Sequence, residues 1–260
     1  MAKTTRTKKW LKRLFIWLPL WFCIISIGQV LLLRWVNPPA SSFMAIRQGS
    51  AWLDGDFDYR IEYLWRDLHA VSAQLPIAVV ASEDQRFPEH HGFDFESMQK
   101  AYQGNRKGRK IRGASTISQQ LAKNLFLWSG RSYVRKALEG WYTVWIELLW
   151  PKRRILEVYV NVAEFGDGVY GAEAASRRYF GKAAKSLSRA ESARMAAVLP
   201  NPKRYSLGNP GPYVQRRARA IERQIRSLGG TGYLHGCCMR WFCFPAERRY
   251  TRIRQRGELP

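Results

Sequence analysis

Glu83-Asp84-Gln85-Arg86-Phe87-Pro88-Glu89-His90-His91-Gly92, followed after about twenty residues by Gly113-Ala114-Ser115-Thr116-Ile117-Ser118-Gln119-Gln120-Leu121-Ala122-Lys123-Asn124, is where the chain departs from generic composition. The first half gathers two adjacent acids, a His pair and a turn glycine. The second crowds Ser, Thr, Gln, Lys and Asn onto one short helix. Burying polar groups without partners is costly, so such density suits a cleft for a polar, charged substrate better than a core.

Helical spacing organises both halves. Pro76 suits the first position of a helix, which is predicted to run to about Phe87 before Pro88 stops it. Val79, Val80, Glu83 and Phe87 share one face of that helix. Glu83 is therefore expected among apolar neighbours, where partial desolvation fits a carboxylate for proton transfer. Thr116 and Gln119 form a capping-box pattern that opens the next helix. Gln120, Lys123 and Asn124 line one face beyond the cap.

Upstream, residues 3–13 carry Lys3, Arg6, Lys8, Lys9, Lys12 and Arg13, a basic N-terminus. An apolar run follows, interrupted by Pro19, Ser26, Gly28 and Gln29, and residues 14–35 are read as a transmembrane helix. Its length matches a hydrocarbon core of roughly 30 Å and exceeds the apolar segment of a cleaved signal peptide. Trp10 and Trp35 mark its two ends, and the basic flank keeps the N-terminus in the cytoplasm. Asn37-Pro38-Pro39 breaks the helix, and residues 36–60 are read as a linker. Asp54-Gly55-Asp56-Phe57-Asp58 alternates acids as a calcium loop would, but Tyr59 stands where that loop needs glycine, so turn chemistry is the reading and no metal site is assigned.

Downstream, Leu125-Phe126-Leu127-Trp128 is apolar at four consecutive positions, which fits a core plug or a bilayer-facing patch equally. Arg135, Lys136 and Glu139 precede an amphipathic helix marked by Leu138, Trp141, Tyr142, Trp145, Leu148 and Leu149. Residues 152–164 are β-like in composition, yet Ile155, Val158, Tyr159 and Val162 keep helical spacing and are read as a helix. Gly166-x-Gly168-x-x-Gly171 mimics a dinucleotide fingerprint without its βαβ surroundings, and its glycines are expected to shape an interhelical turn. Two short Ala-rich helices are expected over 172–198 and a basic helix over 216–228. Residues 231–260 form a basic tail of no assigned role.

The 260 residues suit one domain, 61–230, with the preceding segments as extras. A formal charge of +23 implies an anionic partner. Cys23, Cys237, Cys238 and Cys243 have neither a disulfide framework nor zinc-ligand spacing. Nucleic acid is excluded by topology, because the basic domain would lie across the membrane from it.

Four ordered segments carry a resemblance: Glu83-Asp84-x-x-Phe87-x-x-His90-x-Gly92; Gly113-x-Ser115-Thr116-x-x-Gln119-Gln120-x-x-Lys123-Asn124; Arg135-Lys136-x-x-Glu139; and Lys152-x-x-Ile155-Leu156-Glu157-x-Tyr159-x-Asn161. In these the chain resembles the peptidoglycan glycosyltransferases. Ser97-Met98-Gln99-Lys100 fits Ser-x-x-Lys, but no Lys-Thr-Gly follows, so the resemblance is to the monofunctional branch, without a penicillin-binding domain. The resemblance implies a mainly α, lysozyme-like domain with a small membrane-proximal lobe. It implies polymerisation of lipid II into β-1,4 glycan strands, with inversion and release of undecaprenyl pyrophosphate. Glu83 is implied as general base. Glu139 would orient the donor site or share the proton work. Lys123 and Arg135 would neutralise the pyrophosphate, and Asp84, Gln120 and Asn124 would position substrate. Ser115 and Thr116 would bind sugar or phosphate, or only cap. No cofactor is required, although a divalent cation (magnesium or manganese) could assist. The implied partners are lipid II, the growing strand, the membrane and the cell-wall synthesis machinery. The implied location is the bacterial inner membrane, with the catalytic domain periplasmic.

Overall fold

The computed structural model describes residues 3–106, 115–130 and 132–235, without the side chains of residues 3–16, 102, 104–106 and 235. In chain order the elements are α1 (Lys3–Leu33), α2 (Ser42–Leu53), β1 (Glu62–Tyr63), α3 (Gln74–Glu83), α4 (Phe95–Arg106), α5 (Ile117–Phe126), α6 (Tyr133–Leu149), α7 (Lys152–Val162), β2 (Glu164–Gly166), β3 (Val169–Tyr170), α8 (Ala172–Phe180), α9 (Arg189–Val198), α10 (Pro212–Ser227) and α11 (Gly232–His235). The protein is mainly helical, as expected.

Helix α3 is the centre. Every residue from Leu75 to Ala81 is buried. A helix apolar on all sides must be surrounded, and α9, α10 and α7 surround this one. On α10, Val214, Ala218, Ile221 and Ile225 form the buried stripe, while Arg216, Arg219, Arg223 and Arg226 face solvent. A second group packs α5 against α6 and α7, with α2 laid on α5 and α1 on α6.

Residues 152–162 are helical despite their Val, Ile and Tyr content, because Ile155, Val158, Tyr159 and Val162 all reach the core. The Gly166–Gly171 stretch is a correction. It is a β-hairpin, not an interhelical turn: β2 pairs antiparallel with β3, and β1 adds parallel on the other side, giving the order β1-β3-β2. Gly168 and Gly171 have φ of 73° and 86°, and a Cβ on Gly171 would lie 2.6 Å from the Asn161 carbonyl oxygen. Backbone conformation, not a phosphate, accounts for these glycines.

Two further boundaries differ from expectation. The supposed linker contains α2, whose N-cap Ser41 and buried Met44 and Ala51 fix it to the domain. Helix α3 stops at Glu83 rather than Phe87, because Asp84 turns away at φ −160° to bind elsewhere. The Leu125–Trp128 run divides. Leu125 and Leu127 are buried, Phe126 stacks on Tyr142 at 4.3 Å, and Trp128 alone is exposed.

Helix α1 carries the N-terminal apolar run. Among the described residues no helix is long and apolar enough to cross a membrane; the side chains of α1 before Trp17 lie outside them. Its polar interruptions are used against α6: Trp141 Nε1 donates to Ser26 Oγ (3.0 Å) and Tyr142 Oη to Gln29 Oε1 (3.4 Å). Trp150 Nε1 donates to the Val30 carbonyl (2.7 Å). At the C-terminus of α1, the buried Arg154 guanidinium donates to the carbonyls of Leu33 (3.0 Å) and Val36 (2.9 Å), to Asn37 Oδ1 (2.9 Å) and to Glu157 (2.8 Å). A cation at a helix C-terminus satisfies carbonyls that have no partner within the helix. Arg154→Met leaves those carbonyls without a donor and Glu157 without its cation, holding only the Leu68 amide (2.9 Å), and is expected to cost about 3 kcal/mol in equilibrium unfolding in detergent.

Of the tail, residues up to His235 are described, and the remainder lies outside the described residues.

Candidate active site

The two adjacent acids point to different places. Glu83, the last residue of buried α3, comes out where α5, α7 and α10 meet. Its carboxylate accepts from Ser82 Oγ (2.8 Å) and Arg217 Nη2 (3.2 Å) on Oε1, and from Gln120 Nε2 (3.1 Å) on Oε2. This differs from the apolar face expected for it. The stripe holding Val79 and Val80 ends one turn too early, and polar donors surround the carboxylate.

Asp84 faces inward and is buried. It takes His90 Nε2 (2.8 Å) on Oδ1 and the Ile117 amide (3.0 Å) on Oδ2. That amide opens α5, so Asp84 places a negative charge at a helix N-terminus and ties the first quoted segment to the second. Thr116 is equally committed. Its hydroxyl donates to the Gly92 carbonyl (2.6 Å) and accepts from the Gln119 amide (3.2 Å), completing the predicted capping box. Gly92 has a φ of 85°, and a Cβ there would stand 2.7 Å from Thr143 Cγ2. Ser115 is exposed just before the cap.

On α5, Gln120 and Lys123 face the Glu83 side. Gln120 Oε1 accepts from the Tyr159 hydroxyl (2.8 Å). Lys123 has no carboxylate at ion-pair distance among the described residues; its ammonium lies 5.7 Å from the Phe43 ring centre. Burial pushes Lys123 below the ordinary lysine value. Glu139 and Glu83 oppose that shift, and Arg135 and Lys136 add to it. This lysine therefore feels both carboxylates. The Asn124 carbonyl accepts from Ser42 Oγ (3.2 Å), joining α2 to α5.

The start of α6 supplies the other charges. Glu139 is buried, with Arg135 Nη1 on one oxygen (2.7 Å) and Lys136 Nζ on the other. Arg135 Nε is buried without a partner. Four cations (Lys123, Arg135, Lys136 and Arg217) thus stand with two carboxylates, Glu83 and Glu139, which leaves a positive surplus suited to an anionic group.

Both Glu139 oxygens are taken by cations, and the described residues contain no group of three His, Cys, Asp or Glu side chains that could hold a metal.

The resemblance grouped Glu83, Gln120 and Lys123: Gln120 contacts Glu83, and Lys123 is near enough to feel its charge. Sequence reasoning missed Arg217, which arrives from about 130 residues away in a helix read only as basic, with no local signal of its target. Lys136 and Tyr159 fell within quoted motifs but were given no role. Of the other motif residues, Asn161 Oδ1 accepts from the Arg66 amide (2.9 Å) and Lys152 donates to the His90 carbonyl (2.7 Å). Both hold segments together.

Comparison with known proteins agrees in one direction. A family model described as Transglycosylase matches residues 55–226. The biosynthetic peptidoglycan transglycosylase of Xanthomonas axonopodis pv. citri is 58% identical over 236 residues, 90% of this chain and 94% of that protein. The protein of the same name from Xanthomonas euvesicatoria pv. vesicatoria is 57% identical over 238 residues, with 90% and 94% covered. That from Xylella fastidiosa (strain M23) is 55% identical over 225 residues, with 86% and 92% covered.

Proposed function

The chain belongs to the transglycosylase family and is a peptidoglycan glycosyltransferase; from that premise we propose that it polymerises lipid II, with Glu83 as the general base. The 4-hydroxyl of the acceptor GlcNAc gives its proton to Glu83 as its oxygen attacks the anomeric carbon of the donor MurNAc. The α-linked bond to undecaprenyl pyrophosphate breaks, and the pyrophosphate leaves with the electron pair. One β-1,4 bond forms with inversion. An alcohol is a weak nucleophile, so removing its proton in the transition state is worth about 10²–10⁴-fold. The pyrophosphate is a competent leaving group once its charge is met, and Lys123 and Arg135 meet it. Lys136 and Arg135 hold Glu139, and Glu139 in turn fixes the Arg135 fork, whose free Nε supplies a further donor.

The observation that carries this reading is Lys123: a half-buried ammonium beside Phe43, with no carboxylate at ion-pair distance among the described residues and under the influence of both Glu83 and Glu139. A desolvated, uncompensated cation is costly unless an anion arrives to pair with it.

The proposal includes α1 as a single-pass anchor in the bacterial inner membrane, with the N-terminus cytoplasmic and the domain periplasmic. Trp17, Leu18, Trp21, Ile24, Ile25 and Trp35 are exposed around that helix. Apolar side chains left uncovered by protein along one helix support a lipid-facing reading of it. Exposed Leu148 and Val144 on α6, alongside α1, extend the same surface toward a membrane-proximal lobe. The cell-wall synthesis machinery is the expected partner.

Purified full-length protein incubated with lipid II in detergent is expected to yield glycan polymer and undecaprenyl pyrophosphate. Release of muropeptides from isolated sacculi, with no polymer from lipid II, would overturn the synthetic direction.

A further inference from the structure

Two oxygens of Glu83 are served differently. Oε1 takes both Ser82 and Arg217, while Oε2 takes only Gln120 among the described residues. Oε2 is therefore the oxygen with a lone pair to spare for an incoming hydroxyl. Its one partner is an ambiguous group, because a glutamine can present either end. Its NH₂ stabilises a carboxylate, and its carbonyl repels one.

The choice is made behind Gln120. Tyr159 is 1% exposed, and Gln120 Oε1 is the one partner its hydroxyl has among the described residues. If the amide were reversed, Nε2 would donate to the phenol oxygen, and the phenol proton would be left without an acceptor in a buried place. Such an orphan costs about as much as a lost hydrogen bond, so one orientation prevails. The phenol stays protonated, because burial pushes it well above its ordinary value and the charges of Glu83 and Asp84 add to the shift.

We propose that Tyr159 is a positioning residue for the glycosyl transfer: by donating to Gln120 Oε1, it turns Gln120 Nε2 toward Glu83 Oε2 and keeps that carboxylate aimed at the incoming hydroxyl. The inference rests on Glu83 being the base.

The other groups facing Glu83 limit what the test must separate. Arg217 contacts it from α10, and Lys123 acts on it through space from α5. Asp84, next in sequence, has its oxygens engaged by His90 and the Ile117 amide. Helix α9 brings the Ala196 carbonyl to 3.5 Å from Ser82 Oγ, and no charge to Glu83 among the described residues.

The test is kcat/KM against pH for the full-length enzyme with lipid II, in wild type, Y159F, Q120A and Y159F/Q120A. Losing one hydrogen bond to a charged group raises the proton affinity of a carboxylate. The acidic limb of Y159F is therefore expected about one pH unit higher, equivalent to about a tenfold loss below the limb. Q120A is expected to shift the limb similarly, and the double variant no further than Q120A, because Tyr159 acts through Gln120. An unmoved limb in Y159F overturns the inference, and so do shifts that add in the double variant. If Y159F does not fold, as judged by thermal unfolding, Q120A decides alone: an unmoved limb there is equally fatal. Glu83→Gln run alongside separates the two failures. Wild-type activity in that variant removes the base itself, whereas an inactive Glu83→Gln with an unmoved Y159F limb removes only Tyr159.

Discussion

Glu83→Gln is expected to give a folded protein that polymerises lipid II at least about 10²-fold more slowly than wild type, the loss that follows removal of a general base. The substitution keeps size and shape. The new amide oxygen can still accept from Ser82 and Arg217, which now meet Glu83 at 2.8 and 3.2 Å. The new NH₂ would face Gln120 Nε2, so one of the two amides must reverse. That local conflict is small beside the buried core of α3, and the thermal unfolding temperature should move by only a few degrees. What is lost is any atom able to take the acceptor proton. Polymer formation followed by gel is the measurement, and a wild-type rate would remove Glu83 from the mechanism.

Lys123→Met is expected to reduce the rate by about 10²–10³-fold, the usual worth of one preorganised charge on a developing anion. Methionine fills the stem volume beside Phe43 and leaves the helix intact, so the loss is one of charge. Lys123→Arg is the more informative partner, because it separates charge from protonation. Burial holds the Lys123 ammonium below the ordinary lysine value. The charged form is therefore lost as pH rises through that lowered value, sooner than for a lysine in solvent. The wild-type rate should accordingly fall on the alkaline side. Arginine stays charged throughout, so the Lys123→Arg variant should lack that limb, at whatever rate its larger fork permits. The same alkaline limb in both proteins would assign it to another group.

Much of the frame could be read from the sequence because it is written locally. The capping box at Thr116 and Gln119, the helical spacing through Tyr159, and the amphipathic face of α6 each depend on residues within a few positions of one another. That Gln120 and Lys123 share a helix face was local too, but their place beside Glu83 came from the family resemblance and not from spacing. What escaped depended on distance. Arg217 reaches Glu83 only because α10 packs on α3. The expectation of an apolar setting for Glu83 failed there too, since helical spacing describes one helix and says nothing of the donors its neighbours bring. The Gly166–Gly171 hairpin was hidden differently. Its strands are two and three residues long, too short for an alternating pattern to register. The α2 helix lacks a strong apolar stripe, and its place is set by contact with α5.

The clasp at Arg154, with the hydrogen bonds that run from Ser26 to Val30 along α6, makes α1 a rigid strut and not a tether. Were α1 to sit in a bilayer as proposed, these contacts would hold the catalytic cleft at one height and one tilt above the lipid. Enzyme and substrate then search for each other in two dimensions. The quantity that saturates such an enzyme is the number of lipid II molecules per unit area of membrane, not per unit volume. Diluting the substrate with inert lipid slows it even when the total amount is unchanged.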